Sequence, residues 1–148
     1  MTRLSAFTLS LLVAGMLRGG TTERTIPVPK RDQEVKINFS SEGAAIETLR
    51  IQNYPDTDQV EKAKTKDPND KSFVFWRFNV SNRSSRKVRM KIEVTLIGKD
   101  GSEVGHNDKT DSVDAEKRED TIRVMMHPKI LDLVNAKSVR LQLSIEPK

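Results

Sequence analysis

The sequence predicts an all-β domain, an antiparallel β-sandwich of about seven strands. Three observations predict it. Two long runs alternate apolar and polar residues with a period of two, Val74 to Val80 and Val88 to Leu96. Polar, turn-forming clusters separate such runs, with Asp100-Gly101 the sharpest of them. Between residues 35 and 148 no long stretch carries the three-to-four-residue apolar spacing of an amphipathic helix.

Each element can be justified in turn. Val35, Ile37 and Phe39 alternate with Lys36 and Asn38, and a second short run follows from Ala45 to Ile51. Residues 53–71 are charged, hold two prolines and show no apolar pattern, which predicts a long loop. Val74, Trp76, Phe78 and Val80 then share one face. Four of the seven aromatic residues, Phe73, Phe75, Trp76 and Phe78, fall in this window, which is expected at the centre of the core. Val88, Met90, Ile92, Val94 and Leu96 share a face of the next strand, with Arg89, Lys91, Glu93 and Thr95 opposite. The polar link from Ser81 to Lys87 makes the two an expected antiparallel hairpin. After the Asp100-Gly101 turn a short edge strand is expected at Glu103 and Val104, then a loop or weak edge over 107–120. Ile122, Val124 and Met126 alternate once more. Pro128 is placed to open a short helix reaching about Val134, and Val139, Leu141, Leu143 and Ile145 form the last strand. The sum is a sandwich of immunoglobulin-like architecture, without the Cys–Trp–Cys marks of antibody domains.

The N-terminus is of another kind. Arg3 precedes an uncharged, mostly apolar run from Leu4 to Leu17. That run is shorter than the ~20 residues of a spanning helix, and small residues follow at Ala14 and Gly15. Residues 1–17 thus read as a signal-like export segment, 18–34 as a flexible linker and 35–148 as the sandwich domain. Leu12-Val13-Ala14-Gly15 is similar to the start of a bacterial lipobox, but Met16 stands where the lipidated cysteine would. The chain as written is expected to be periplasmic or secreted, cleaved near Gly15 or tethered by an uncleaved segment, and not lipid-anchored.

The stretch Trp76 to Ser84, the strand from Val88 to Leu96 and the Asp100-Gly101 turn resemble bacterial FxLYD-type domains. Asn135 to Leu143 is similar to the final strand of YcfL-like periplasmic lipoproteins. The resemblance covers about residues 73–145, ends the long strand differently (Ile97-Gly98) and departs at Met16. It implies an exported immunoglobulin-like domain and supplies no catalytic residues.

Composition narrows the chemistry. No cysteine is present, which removes disulfides, thiol catalysis and cysteine-ligated metals. There is no G-x-S-x-G elbow and no glycine-rich phosphate loop, and glycines number seven. His106 lies near Asp108 and Asp111 without metal-ligand spacing, and both it and His127 are expected exposed in loops. Asp67, Asp70, Asp108, Asp111, Asp114 and Glu116 offer calcium oxygens in no recognised loop pattern. The sequons at Asn38, Asn79 and Asn82 are read as chance. No catalytic residue, metal ligand or cofactor is therefore assigned.

The net charge of +5 comes from 26 basic and 21 acidic residues. Arg77, Arg83, Arg86, Lys87, Arg89 and Lys91 fall on the expected hairpin and form the candidate patch for an anion or partner. The acidic segment 100–120 is expected either to pair with it across the sheet or to leave it free. The expected function is a non-enzymatic envelope interaction module for an envelope protein or anionic surface polymer. Nucleic acid is disfavoured, because the patch shows no exposed stacking aromatics. Membrane contact is expected only through an uncleaved N-terminal segment. The competing expectation is a secreted, metal-dependent accessory protein or enzyme using His106 and nearby carboxylates.

Overall fold

The structure, a computed structural model, describes residues 20–148. The expected export segment lies outside the described residues. The described residues form two antiparallel four-stranded sheets packed face to face, an all-β sandwich of immunoglobulin-like architecture with eight strands. One sheet has the order β1-β8-β5-β6 and the other β2-β3-β4-β7. In chain order the strands are β1 (Gly20–Ile26), β2 (Val35–Ser41), β3 (Ala44–Gln52), β4 (Val74–Asn82), β5 (Val88–Ile97), β6 (Glu103–Val113), β7 (Lys117–Met126) and β8 (Ser138–Pro147). Two short helices, α1 (Thr57–Thr65) and α2 (Ile130–Val134), lie at one end.

Alternation builds the core as the sequence predicts. Val74, Trp76, Phe78 and Val80 of β4 are buried, as are Val88, Met90, Ile92, Val94 and Leu96 of β5 and Val139, Leu141, Leu143 and Ile145 of β8. Every second side chain of these three strands enters the space between the sheets, and removing that apolar area from water is the main stabilising term. The aromatic window is divided by the same rule. Trp76 and Phe78 are fully buried, whereas Phe75 is half-buried and Phe73 exposed on the outer face, not in the core.

Four expectations need correction. First, β4 and β5 do not form a hairpin. β4 pairs with β3 and β7, and β5 pairs with β6 and β8. Alternation shows that each strand buries one face. It cannot show whether two such strands lie side by side or face to face across the ~10 Å between sheets. The link from Ser81 to Lys87 crosses between sheets, held by Asn82. The buried Asn82 amide donates to the carbonyls of Arg86, Val113 and Asp114, and its oxygen accepts from the Ser84 N–H and hydroxyl.

Second, residues 18–34 are not a free linker. Gly20–Ile26 is strand β1, in antiparallel register with β8 from Gly20↔Ile145 to Ile26↔Val139. Its inward residues are mainly Thr22, Arg24 and Ile26, so it carries little apolar signal. Arg24 reaches across the open side of the sandwich to donate to the Ile37 carbonyl of β2.

Third, residues 103–113 form one long edge strand, so of the two expectations for 107–120 the weak edge holds and the loop is confined to residues 114–116 before β7. β6 runs for eleven residues. It is an edge strand with charge on both sides, which protects an edge against further pairing and erases the alternation.

Fourth, residues 53–71 hold α1. Asp56 caps it in a reciprocal capping box with Gln59, and only Ala63 is buried, so no apolar stripe announces the helix. The short helix expected to open at Pro128 is α2, which begins two residues later, after Lys129 as its N-cap, and ends at Val134 as expected.

Candidate functional site

The fold divides the six-residue basic patch. Arg77 points outward from β4, on the β2-β3-β4-β7 sheet. Arg89 and Lys91 point outward from β5, on the opposite sheet. Arg83, Arg86 and Lys87 lie on the crossing link at one end. The patch is therefore not one surface. Part of it is paired: Lys87 Nζ is 3.4 Å from Asp114, and Lys91 Nζ is 3.9 Å from Asp108. Arg89 lies directly between Glu146 of β8 and Ser112 of β6. On this sheet the basic strand and the acidic segment face each other, the cross-strand pairing expected as one alternative.

Arg77 has different neighbours. Antiparallel register sets it directly opposite Arg50 of β3 on one side and Arg123 of β7 on the other. Three arginines thus form one row across three adjacent strands. Directly opposed side chains start about 5 Å apart, and like charges so placed oppose folding. Arg50 meets Glu34 at 4.0 Å, with both side chains nearly half exposed. Neither Arg77 nor Arg123 is in an ion pair among the described residues.

The neighbouring row holds one aromatic, one methionine and one glutamine. Phe75 lies opposite Gln52 and Met125 in the same register. Phe73 meets Phe75 edge-on at 5.8 Å between ring centroids and the His127 ring at 5.2 Å. The Arg123 guanidinium lies over the Phe75 ring, 5.2 Å from its centre. Phe73 (45% exposed) and Met125 (43%) are the exposed large hydrophobic residues among those described, and both belong to this patch. On the other side of the arginines the row is polar, Thr48, Asn79 and Thr121. A shallow cavity of about 470 Å³ opens there, lined by Arg77 and Asn79 with Glu47, Lys117, Glu119 and Asp120.

The candidate site is therefore the outer face of the β2-β3-β4-β7 sheet. Of the six residues singled out from sequence it contains only Arg77. Arg50, Arg123 and Met125 were missed because they lie on other strands, far away in the chain, and Phe73 and Phe75 because they were expected in the core. A signal was available in part: the polar positions of each alternating strand hold an arginine, but only the register shows that they coincide. The aromatics absent from the linear basic patch stand beside Arg77 in the folded chain.

The histidine alternative fares differently. His106 is exposed on β6, not in a loop, with Nδ1 3.0 Å from the hydroxyl of the buried Thr95. Both His106 and His127 border a groove between β6 and β7, whose lining holds no carboxylate. Among the described residues no group of three or more His, Asp or Glu is placed to hold a metal ion.

Asn82, the third sequon, is fully buried and hydrogen-bonded through both amide atoms, so the folded chain does not present it for glycosylation. Among the described residues no helix is long and apolar enough to cross a membrane. Protein-family models searched with the chain give no match, and neither does a search of curated proteins.

Proposed function

We propose that the protein is a non-enzymatic interaction module of the cell envelope, and that it docks an acidic segment of a partner protein on the outer face of its β2-β3-β4-β7 sheet. The observation that carries this reading is the in-register row Arg50–Arg77–Arg123. Folding does not benefit from three opposed cations, whereas a bound carboxylate row gains from each of them. The adjoining Phe73, Phe75 and Met125 give the surface the combination of arginine with aromatic and methionine side chains that is enriched at protein interfaces. A purely electrostatic polymer site has no use for the exposed Phe73 and Met125. The envelope location rests on the signal-like residues 1–17.

Titration with poly-L-glutamate, followed by tryptophan-independent calorimetry, tests the reading. The wild type is expected to bind with an affinity that falls with salt, and the triple variant R50E/R77E/R123E to lose that binding by at least about tenfold. Binding of double-stranded DNA in preference to poly-L-glutamate would replace the protein partner with a nucleic acid. Equal binding of poly-L-glutamate by the wild type and the triple variant would remove the arginine row from the account.

A further inference from the structure

We infer that the acidic segment docks as an added strand on the free edge of β7, with an apolar residue beside Met125, a carboxylate beside Arg123 and a polar residue beside Thr121. The inference rests on the docking reading above and gives the segment its conformation and its order of residues.

The backbone of β7 carries the argument. In an antiparallel ladder each residue turns its N–H and C=O to the same side, and successive residues turn to opposite sides. β7 pairs with β4 on one side only, in unbroken register from Val74↔Met126 to Val80↔Asp120. Two side chains mark the residues that face away from β4. The Asn107 amide of β6 donates to the Met125 carbonyl at 2.6 Å, and the Asp120 carboxylate accepts from the Thr121 N–H at 2.8 Å. Met125 and Thr121 therefore face the edge, and so does Arg123 midway between them. The two side chains cap the Met125 C=O and the Thr121 N–H. The Arg123 N–H and C=O, the Thr121 C=O and the Met125 N–H have no partner on that side among the described residues.

Other edges of the sandwich are blunted. β2, at the far side of the same sheet, has a register shift between Lys36 and Phe39, with Asn38 at a φ of 51°. β6 turns Lys109 and Asp111 to the inner side, opposite the buried Ile92 and Met90. Bulges and inward charges are devices that keep an edge from accepting another strand. From Thr121 to Met126 β7 has neither, and its inward residues Ile122, Val124 and Met126 are buried. Its one charge there, Arg123, points outward from the sheet and selects the occupant. Two copies paired about Arg123 would oppose one more arginine to the existing row, whereas an acidic strand relieves that row.

Register then specifies the segment. A strand added to β7 extends each cross-strand row by one residue: Gln52–Phe75–Met125, Arg50–Arg77–Arg123 and Thr48–Asn79–Thr121. Beside Met125, which is 43% exposed, an apolar side chain removes apolar surface from water. Beside Arg123 a carboxylate meets a cation that has no ion pair among the described residues. Beside Thr121 a hydroxyl continues the polar row. Glu119, two residues before Thr121, is exposed and acidic, which confines the carboxylate to the position opposite Arg123. Every strand pair in the two sheets is antiparallel. In that sense the segment reads apolar, any, acidic, any, polar from its N-terminus. Main-chain hydrogen bonds supply affinity in such an addition, and the alternate side chains supply specificity.

The test uses the full chain and the peptide acetyl-Thr-Phe-Thr-Glu-Thr-Ser-Thr-amide, whose threonines favour extended backbone. Affinity is read from amide chemical shifts of the isotopically labelled chain. The peptide is expected to bind and to shift Thr121, Arg123 and Met125. N-methylation of its glutamate removes the N–H that reaches the Arg123 carbonyl, and is expected to weaken binding at least about tenfold. N-methylation of the threonine that follows alters an N–H turned away from β7, and is expected to leave binding within about twofold. R123E is expected to lose the peptide by at least about tenfold. R123Q serves if the reversal does not fold, and is expected to shift in the same direction. Equal effects of the two N-methylations overturn the added strand, while docking on the sheet face stands if R50E/R77E/R123E still loses poly-L-glutamate. A peptide that does not bind overturns it too, and poly-L-glutamate binding by the wild type then decides whether the docking reading falls with it. Dimers of the chain that protect the β7 amides and resist the peptide would give the edge to a second copy, and overturn it as well.

Discussion

Arg77 on β4 lies directly opposite Arg123 on β7, with Arg50 opposite it on the other side. A central strand flanked by like charges on both sides carries a cost that nothing in the core requires. Arg77→Gln keeps the aliphatic stem and a polar head but removes the middle charge. It is expected to raise stability by about 0.2–1 kcal/mol at low salt and to weaken poly-L-glutamate binding. Thermal unfolding at low and moderate salt checks the sign, since screening should stabilise the wild type more than the variant. A variant less stable than the wild type at low salt would show that the row is not under strain.

Asn82 joins three segments with a single amide. Its donors serve carbonyls of Arg86, Val113 and Asp114, and its oxygen holds Ser84. Asn82→Ala strands several buried polar groups at once, with an expected loss of about 2–4 kcal/mol. Trp76, the one tryptophan of the chain, is fully buried and reports the transition by fluorescence in urea. A loss below ~0.5 kcal/mol would mean that the crossing link is held by its backbone alone.

Strand β1 has a direct test in a chain beginning at Val28. The truncation removes the ladder with β8 and exposes the edge of a strand buried on its inner face. A lower midpoint in urea and a tendency to associate are expected, because an uncovered flat edge is a template for pairing. An unchanged midpoint and a monomeric chain would restore the linker reading.

The turn at Gly98–Ser102 gives a pH-dependent prediction. The Asp100 carboxyl is held below its ordinary value, chiefly by the Ser102 hydroxyl and then by the Ser102 N–H. A lowered carboxylate value in the folded state favours folding when the group is ionised. Its contribution is complete above the unfolded value and is lost as pH falls through the folded one. Ser102→Ala is therefore expected to move the Asp100 titration upward, measured by carboxyl-carbon NMR. An unmoved titration would assign the lowering to the backbone.

The strands with one apolar face were legible in the sequence. β4, β5 and β8 alternate large buried residues with polar ones, and Asp100-Gly101 marks its turn because Gly101 takes a positive φ of 88°. What was not legible depends on pairing. β1 and β6 are edge strands whose polar inward or outward positions suppress the period of two, and α1 buries only Ala63. The largest change came from the link after Asn82. Placing β4 and β5 in different sheets separated Arg77 from Arg89 and Lys91, and brought it instead to Arg50 and Arg123. A local sequence shows that a position faces outward. Only the strand order shows which outward positions are neighbours.

The central claim is that the arginine row and the aromatic row beside it form one binding surface. Amide chemical-shift mapping of the isotopically labelled chain during a poly-L-glutamate titration tests it most directly. Shifts concentrated at Arg50, Arg77, Arg123 and Phe75 are the expected result. Shifts confined to residues 83–87 and 114–118, or spread evenly over both sheets, would contradict it.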